Sequence, residues 1–170
     1  MRMRNRSRGV TLIELCFGLA IVAMLAGLAV PGFRADLRAA AVRSATYELL
    51  AGLQQARAGA IVEARTGVLC LSDTAGNCLA DVAGAPAQAD AWQAFLEVNG
   101  RPLLLAGRSL PAGVVLRSSR ARLKFWPDSL AASTGTLTIC DAQQVARPRA
   151  IVLSQGGRAR LATAPDSACG

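Results

Sequence analysis

Two arginines near the end of the chain, Arg158 and Arg160, follow the pair Gly156-Gly157. A Gly-Gly pair suits a two-residue hairpin turn. Arginines at i and i+2 on the following strand would point to one face, about 6.6 Å apart, with Ala159 and Leu161 facing the other way. Each guanidinium can donate two parallel hydrogen bonds, so the pair suits adjacent phosphates. The opposite reading is a solvated row of charge that discourages edge pairing. Arg122 and Lys124 alternate with Leu123 and Phe125, and Arg147 and Arg149 flank Pro148. Both pairs are candidates to widen a basic patch. Aromatic platforms for stacking bases are scarce, and Trp92, Phe95, Phe125 and Trp126 are read as core.

A second chemical feature is Glu14, the single charge between Val10 and Phe33. A carboxylate in hydrocarbon costs roughly 2–3 kcal/mol at mid-membrane, less near an end, and calls for a cation. A cut after Gly9 makes Glu14 the fifth residue of the new chain. The new α-amine of Val10 on a neighbouring copy is then a positive charge at matching depth.

Other chemistry is excluded by what the sequence lacks. There is no histidine among the 170 residues, which removes His-based hydrolase triads and His-ligated zinc. No metal-ligand spacing, phosphate-binding Gly-rich loop or carboxylate pair stands out, so no metal, cofactor or enzyme activity is expected. Five cysteines are present, with Cys16 in the apolar run and Cys70, Cys78, Cys140 and Cys169 beyond it. An even number outside the membrane fits an oxidising compartment. Four cysteines allow three pairings, and proximity favours Cys70 with Cys78 and Cys140 with Cys169.

The elements that must hold these groups can be read from pattern. Val10 to Val30 spans 21 residues, which as a helix is long enough to cross one hydrocarbon core of about 30 Å. Arg2, Arg4, Arg6 and Arg8 precede it, so the leader stays cytoplasmic and the rest is sent outward. An ordinary secretory signal cut near Gly27-Leu28-Ala29, or a plain anchor, leaves Glu14 unexplained. From Phe33 to Thr66 larger apolar residues fall at Phe33, Leu37, Val42, Leu49, Leu50, Leu53 and Ile61, a near-helical stripe expected to lie on a sheet. Gly52 and Gly59 each cost about 1 kcal/mol in a helix, and Gly67 supplies a stop.

After Gly67 the period becomes two. Strands are expected at 68–71, 92–98, 103–106, 114–117, 122–126, 136–140, 150–154 and 158–162, separated by turn signals such as Asn99-Gly100 and Pro127-Asp128. Residues 81–91, with Gly84, Pro86 and several alanines, read as a flexible loop. The fold class is therefore α+β, a long N-terminal helix packed on an antiparallel β-sheet domain. The basic charge concentrates late: residues 101–170 carry ten Lys or Arg against three acids, so an anionic partner should meet that part.

Gly9 followed by Val10-Thr11-Leu12-Ile13-Glu14-Leu15 resembles the class III leader of type IV pilins and pseudopilins. The resemblance implies that a prepilin peptidase cleaves after Gly9 and N-methylates Val10, and that Glu14 neutralises an N-terminus during filament assembly. Pro31 falls where family members often kink the helix. Val68-Leu69-Cys70-Leu71-Ser72 with Cys78, Thr136-Leu137-Thr138-Ile139-Cys140-Asp141, and Ile151 to Arg160 resemble the GspH/FimT family of minor pilins and pseudopilins. Gly157-Arg158-Ala159-Arg160 matches the Gly-Arg-x-Arg motif that the FimT branch uses in DNA binding during natural transformation.

The resemblance implies a pilin-like organisation: a cleaved leader at 1–9, a transmembrane and assembly helix at 10–31, its amphipathic continuation at 32–66 and a β-rich globular domain at 67–170. It further implies a single-pass protein of the bacterial inner membrane with a periplasmic globular domain, which then enters a pilus or pseudopilus. Expected partners are other minor pilins or pseudopilins, the prepilin peptidase, the inner membrane and, through phosphates, DNA. The chain reads first as a DNA-binding minor pilin, and second as a GspH-type pseudopilin, a structural part of the type II secretion system.

Overall fold

The computed structural model describes residues 11–81, 86–128 and 131–169. Gly9, Val10 and the rest of the leader lie outside the described residues. The chain divides into two compact units, up to Asp36 and from Leu37.

In the first unit helix α1, which runs Leu12–Val62, begins. Thr11 sits at its N-cap: its Oγ1 accepts from the Glu14 N–H at 3.4 Å, and its carbonyl accepts from Leu15 N–H at 3.1 Å. Glu14 thus occupies N3, where a carboxylate also favours the helix dipole. Leu12, Ile13, Leu15, Phe17, Leu19, Ile21, Val22, Met24 and Leu25 are all more than half exposed. Among the described residues no single helix is long and apolar enough to cross a membrane; Leu12–Gly27 and Gly32–Val62, taken as a broken pair, pass on length and composition.

In the second unit α1 packs against two antiparallel sheets. The strands are β1 (Thr66–Ser72), β2 (Ala87–Ala89), β3 (Ala91–Val98), β4 (Arg101–Ser109), β5 (Val114–Ser118), β6 (Arg122–Phe125), β7 (Gly135–Asp141), β8 (Arg149–Leu153) and β9 (Ala159–Thr163). One sheet has the order β4-β3-β1-β6, the other β2-β5-β7-β8-β9. Leu69 and Leu71 of β1, Leu123 of β6, Leu116 of β5, Leu137 and Ile139 of β7, and Ile151 and Leu153 of β8 close on the helix in one core. This is the helix-plus-antiparallel-sheet architecture expected from the sequence.

The buried helix stripe differs from the one the large apolar residues suggest. Val42, Ala45, Leu49, Leu53, Ala56 and Ala60 are buried, at spacings of three and four, whereas Phe33, Leu37 and Ile61 are exposed. Alanines at three of six core positions keep the helix surface low, so that strands approach closely. The glycines serve the same end. A Cβ on Gly52 would overlap the Trp92 ring, and one on Gly67 would overlap the Ala56 carbonyl. Gly67 is therefore not the helix stop. The helix ends through Ala64, which takes a positive φ of 47°, while Arg65 N–H donates to the Ala60 carbonyl at 3.2 Å, the long bond of a Schellman cap.

Residues 81–91 are not a loop throughout. Ala87–Ala89 form β2, which pairs with Leu116–Ser118 at the edge of the second sheet, and Ala89 is buried. Small alanines fit that edge, and backbone pairing rather than side-chain pattern makes it a strand. Disulfides join Cys70 to Cys78 and Cys140 to Cys169, with Cα separations of 5.6 and 5.8 Å, the pairing proximity favours. Trp92 and Phe125 are core, but Phe95 is half-buried and Trp126 is 42% exposed.

Candidate nucleic-acid interface

The β8–β9 hairpin carries the paired arginines. Its turn is a three-residue loop, Gln155-Gly156-Gly157, rather than a two-residue one. Gly157 N–H donates to the Ser154 carbonyl at 2.9 Å, and Ser154 N–H to the Arg158 carbonyl at 3.1 Å. Of the glycine pair, Gly157 has a positive φ, 69°, the left-handed position that closes a three-residue hairpin with a bulge. The extra residue leaves Arg158 just before β9 and Arg160 inside it.

Ser154 locks this corner. Its hydroxyl accepts from Arg158 N–H and donates to the Arg158 carbonyl, each at 3.2 Å. Arg160 sits opposite Val152, and Val152 opposite Thr136, on the sheet face away from the core, since Ile151 and Leu153 alternate inward. Arg158, paired with Ser154, continues that face. Both arginines are exposed, and no ion pair engages either among the described residues. Leu161 points to the core side as expected, yet is 42% exposed because β9 is the outermost strand.

The other candidates are only partly drawn in. Arg149 lies opposite Ile139 and Thr163, at the far end of the hairpin, on the inward face with Ile151. Strand alternation therefore separates it from Arg160. Arg147 lines a cavity of about 230 Å³ together with Asp141 and Asp166, next to carboxylates rather than to the arginine pair. Arg122 and Lys124 lie on β6 at the edge of the other sheet, opposite Cys70 and Val68, and Lys124 Nζ pairs with Glu97 at 3.2 Å.

A short strap joins β6 to the hairpin. Lys124 N–H donates to Ser133 Oγ at 3.2 Å and Ser133 N–H to the Lys124 carbonyl at 2.9 Å, while Ala132 N–H donates to the Gln155 carbonyl at 2.7 Å. β6 and the turn before Arg158 thus flank the same two residues. Arg120, which sequence pattern does not mark, follows Ser119, three strands across from Arg160 and roughly 14 Å away. Its neighbour Ser119 exchanges two hydrogen bonds of 3.1 Å with Thr136. It sits in a connection between strands, where no periodicity marks it. Of the candidates, Arg158 and Arg160 stand together, exposed on the outer face of the hairpin.

The comparisons with known proteins concern the whole domain. The family model described as type II transport protein GspH matches residues 45–157, from the helix to the last residue before Arg158. No curated protein matches the chain. Among solved structures it resembles the type IV minor pilin FimU of Pseudomonas aeruginosa in two crystal forms, both with a TM-score of 0.52 over 74% of this chain. Identity is 21% over 94% of one FimU chain and 20% over 90% of the other. At that identity the likeness shows the shared fold, a long N-terminal helix followed by antiparallel sheets. By the extent of the family match and this fold, the chain belongs to the GspH family, as a GspH/FimT-like type IV minor pilin or pseudopilin.

Proposed function

We propose that this chain is a minor pilin of a type IV pilus that assembles through its N-terminal helix and binds extracellular DNA for uptake in natural transformation. The observation that carries the DNA reading is the Arg158–Arg160 pair, exposed and free of ion pairs among the described residues on a hairpin corner fixed by Ser154. Phosphates bound there replace water rather than an internal partner. Contacts of this kind position DNA without reading bases. Arg122 and Lys124, on β6 beyond the Ala132–Ser133 strap, add positive charge only at longer range, with Lys124 paired to Glu97; Arg147 and Arg149 contribute less.

Replacing Arg158 and Arg160 together with Ala tests this reading. Affinity for duplexes of any sequence falls, and the slope of log K against log salt flattens by roughly 2. Unchanged affinity and slope sink the DNA reading and leave the pilin reading standing.

The second reading, a GspH-type pseudopilin of the type II secretion system, is favoured by the description of the matching family. A deletion that abolishes transformation or twitching but spares exoprotein secretion decides for the pilus, and the converse for the secretion system. In either case we read residues 1–9 as a leader removed by a prepilin peptidase after Gly9, Val10 as N-methylated, and the chain as a single-pass inner-membrane protein with a periplasmic domain before assembly with other pilins.

A further inference from the structure

We propose that the groove on the outer face of the β4-β3-β1-β6 sheet is a second nucleic-acid site, specific for single strands. It is about 910 Å³ in volume and is lined by Arg65, Arg101 and Arg122 with Phe95 and Trp126, a size within the roughly 300–1,000 Å³ usual for ligand sites. Gln93, Phe95 and Glu97 alternate with the core residues Trp92, Ala94 and Leu96 along β3, so the groove lies on the side of the sheet turned away from α1.

Its charge is available. All three arginines are exposed, and no ion pair engages any of them among the described residues. Of the two acids in the lining, Glu97 is neutralised by Lys124 at 3.2 Å, which leaves Asp128 against three guanidinium groups.

The aromatic rings decide the ligand. Trp126 is 42% exposed although it follows a core strand, and its backbone N–H donates to the Ala131 carbonyl at 3.0 Å. A large exposed ring beside unpaired arginines is the composition of single-strand channels, where bases stack on aromatic faces and guanidinium groups track the backbone. Duplex bases are already stacked on one another and cannot use such a ring. The β8–β9 hairpin, by contrast, has no aromatic residue from Arg149 to Thr163, as suits contact with phosphates alone. The groove therefore does not rest on the Arg158–Arg160 reading, and either can fail without the other.

The test uses the mature full-length chain in a non-ionic detergent, with a fluorescent 12-nucleotide oligo(dT) and a 12-base-pair duplex as probes. Trp126→Ala weakens oligo(dT) binding about 5- to 150-fold, the worth of one stacked base, and leaves duplex binding unchanged. Trp126→Phe keeps most of the affinity, because a π-face remains. The triple variant Arg65→Ala, Arg101→Ala, Arg122→Ala lowers the oligo(dT) salt slope by about 2. The buried Trp92 is the remaining tryptophan in Trp126→Ala, and its unchanged emission reports an intact fold. Oligo(dT) affinity indifferent to both the Trp126→Ala and the triple-arginine variants, or an equal loss for oligo(dT) and duplex in Trp126→Ala, overturns the proposal.

Discussion

Arg38 Nη1 of α1 lies 3.9 Å from Asp141 Oδ1 at the end of β7 and donates to the Ala112 carbonyl at 3.0 Å. The Asp141 side chain is fully buried. Its carboxylate also accepts from the N–H groups of Gln143, Val145 and Ala146 at 3.3, 3.0 and 3.1 Å, and so shapes the connection that carries Arg147. Asp141→Ala leaves those three N–H donors without their acceptor and the guanidinium with the Ala112 carbonyl alone, and is expected to cost about 3–5 kcal/mol. Arg38→Ala leaves the carboxylate its three N–H donors and costs about 1–3 kcal/mol. Urea unfolding of the unit from Leu37 onward measures both; a larger loss for Arg38→Ala than for Asp141→Ala contradicts this picture.

The helix end gives a prediction of opposite sign at two neighbouring sites. Ala64 holds a φ of 47°, a left-handed conformation that costs an L-residue about 1 kcal/mol and glycine almost nothing. Ala64→Gly should therefore stabilise the domain by up to about 1 kcal/mol, despite the low helix propensity of glycine. Gly67→Ala should destabilise it by about 1–3 kcal/mol, because the new methyl meets the Ala56 carbonyl, which belongs to the helix backbone and cannot swing aside. Thermal melts of the two variants check the signs.

These two sites also show where the sequence was legible. The eight strands expected from the sequence all form, because alternation and turn residues are local signals: Asn99 and Gly100, at φ 49° and 75°, make the tight β3–β4 turn their dipeptide suggests. Gly67 looked like a helix stop because its conflict with Ala56 depends on tertiary approach. The stripe was legible at Val42, Leu49 and Leu53 but not at its alanines: Ala45, Ala56 and Ala60 carry little hydrophobic signal, and only the nearness of two sheets makes them core. β2 is set by backbone pairing with β5 and has no pattern of its own. At the site, the Arg158–Arg160 pair was legible from its spacing. The face of Arg149 was not, since it depends on the phase of β8 against β7, and neither was the Ala132–Ser133 strap, whose links to β6 and the hairpin are mostly backbone bonds.

The turn enclosed by the Cys70–Cys78 disulfide should respond to acid. Asp73 accepts from the Asn77 backbone N–H at 2.8 Å and from the Asn77 side chain at 3.1 Å, and these bonds, the backbone one first, hold its carboxyl below the ordinary value of 3.8. A carboxyl lowered in the folded state contributes stability that is complete above its unfolded value near 4 and is lost as pH falls through the lower folded value. The gap in stability between the wild type and Asp73→Asn should therefore be constant from pH 7 to about 5 and close toward pH 2. A gap that widens on acidification contradicts the assignment. Amide exchange at Asn77 reports the same event locally.

Glu14 has two possible employments, and one substitution separates them. As N3 of the cap begun by Thr11, it needs a side chain that can accept a hydrogen bond, and glutamine serves nearly as well as glutamate. As the partner of the Val10 amine on a neighbouring copy, it needs a negative charge in an apolar setting, which glutamine does not supply. Among the described residues no ion pair engages its carboxylate, so the charge is open to a neighbour. Glu14→Gln is therefore expected to leave the protein inserted and processed, with mass spectrometry finding a chain that begins at methylated Val10, while its amount in sheared filaments falls at least tenfold. Wild-type incorporation of Glu14→Gln would assign the residue to capping, and an intact leader or a cut near Ala29 would remove the Val10 amine from the interface altogether.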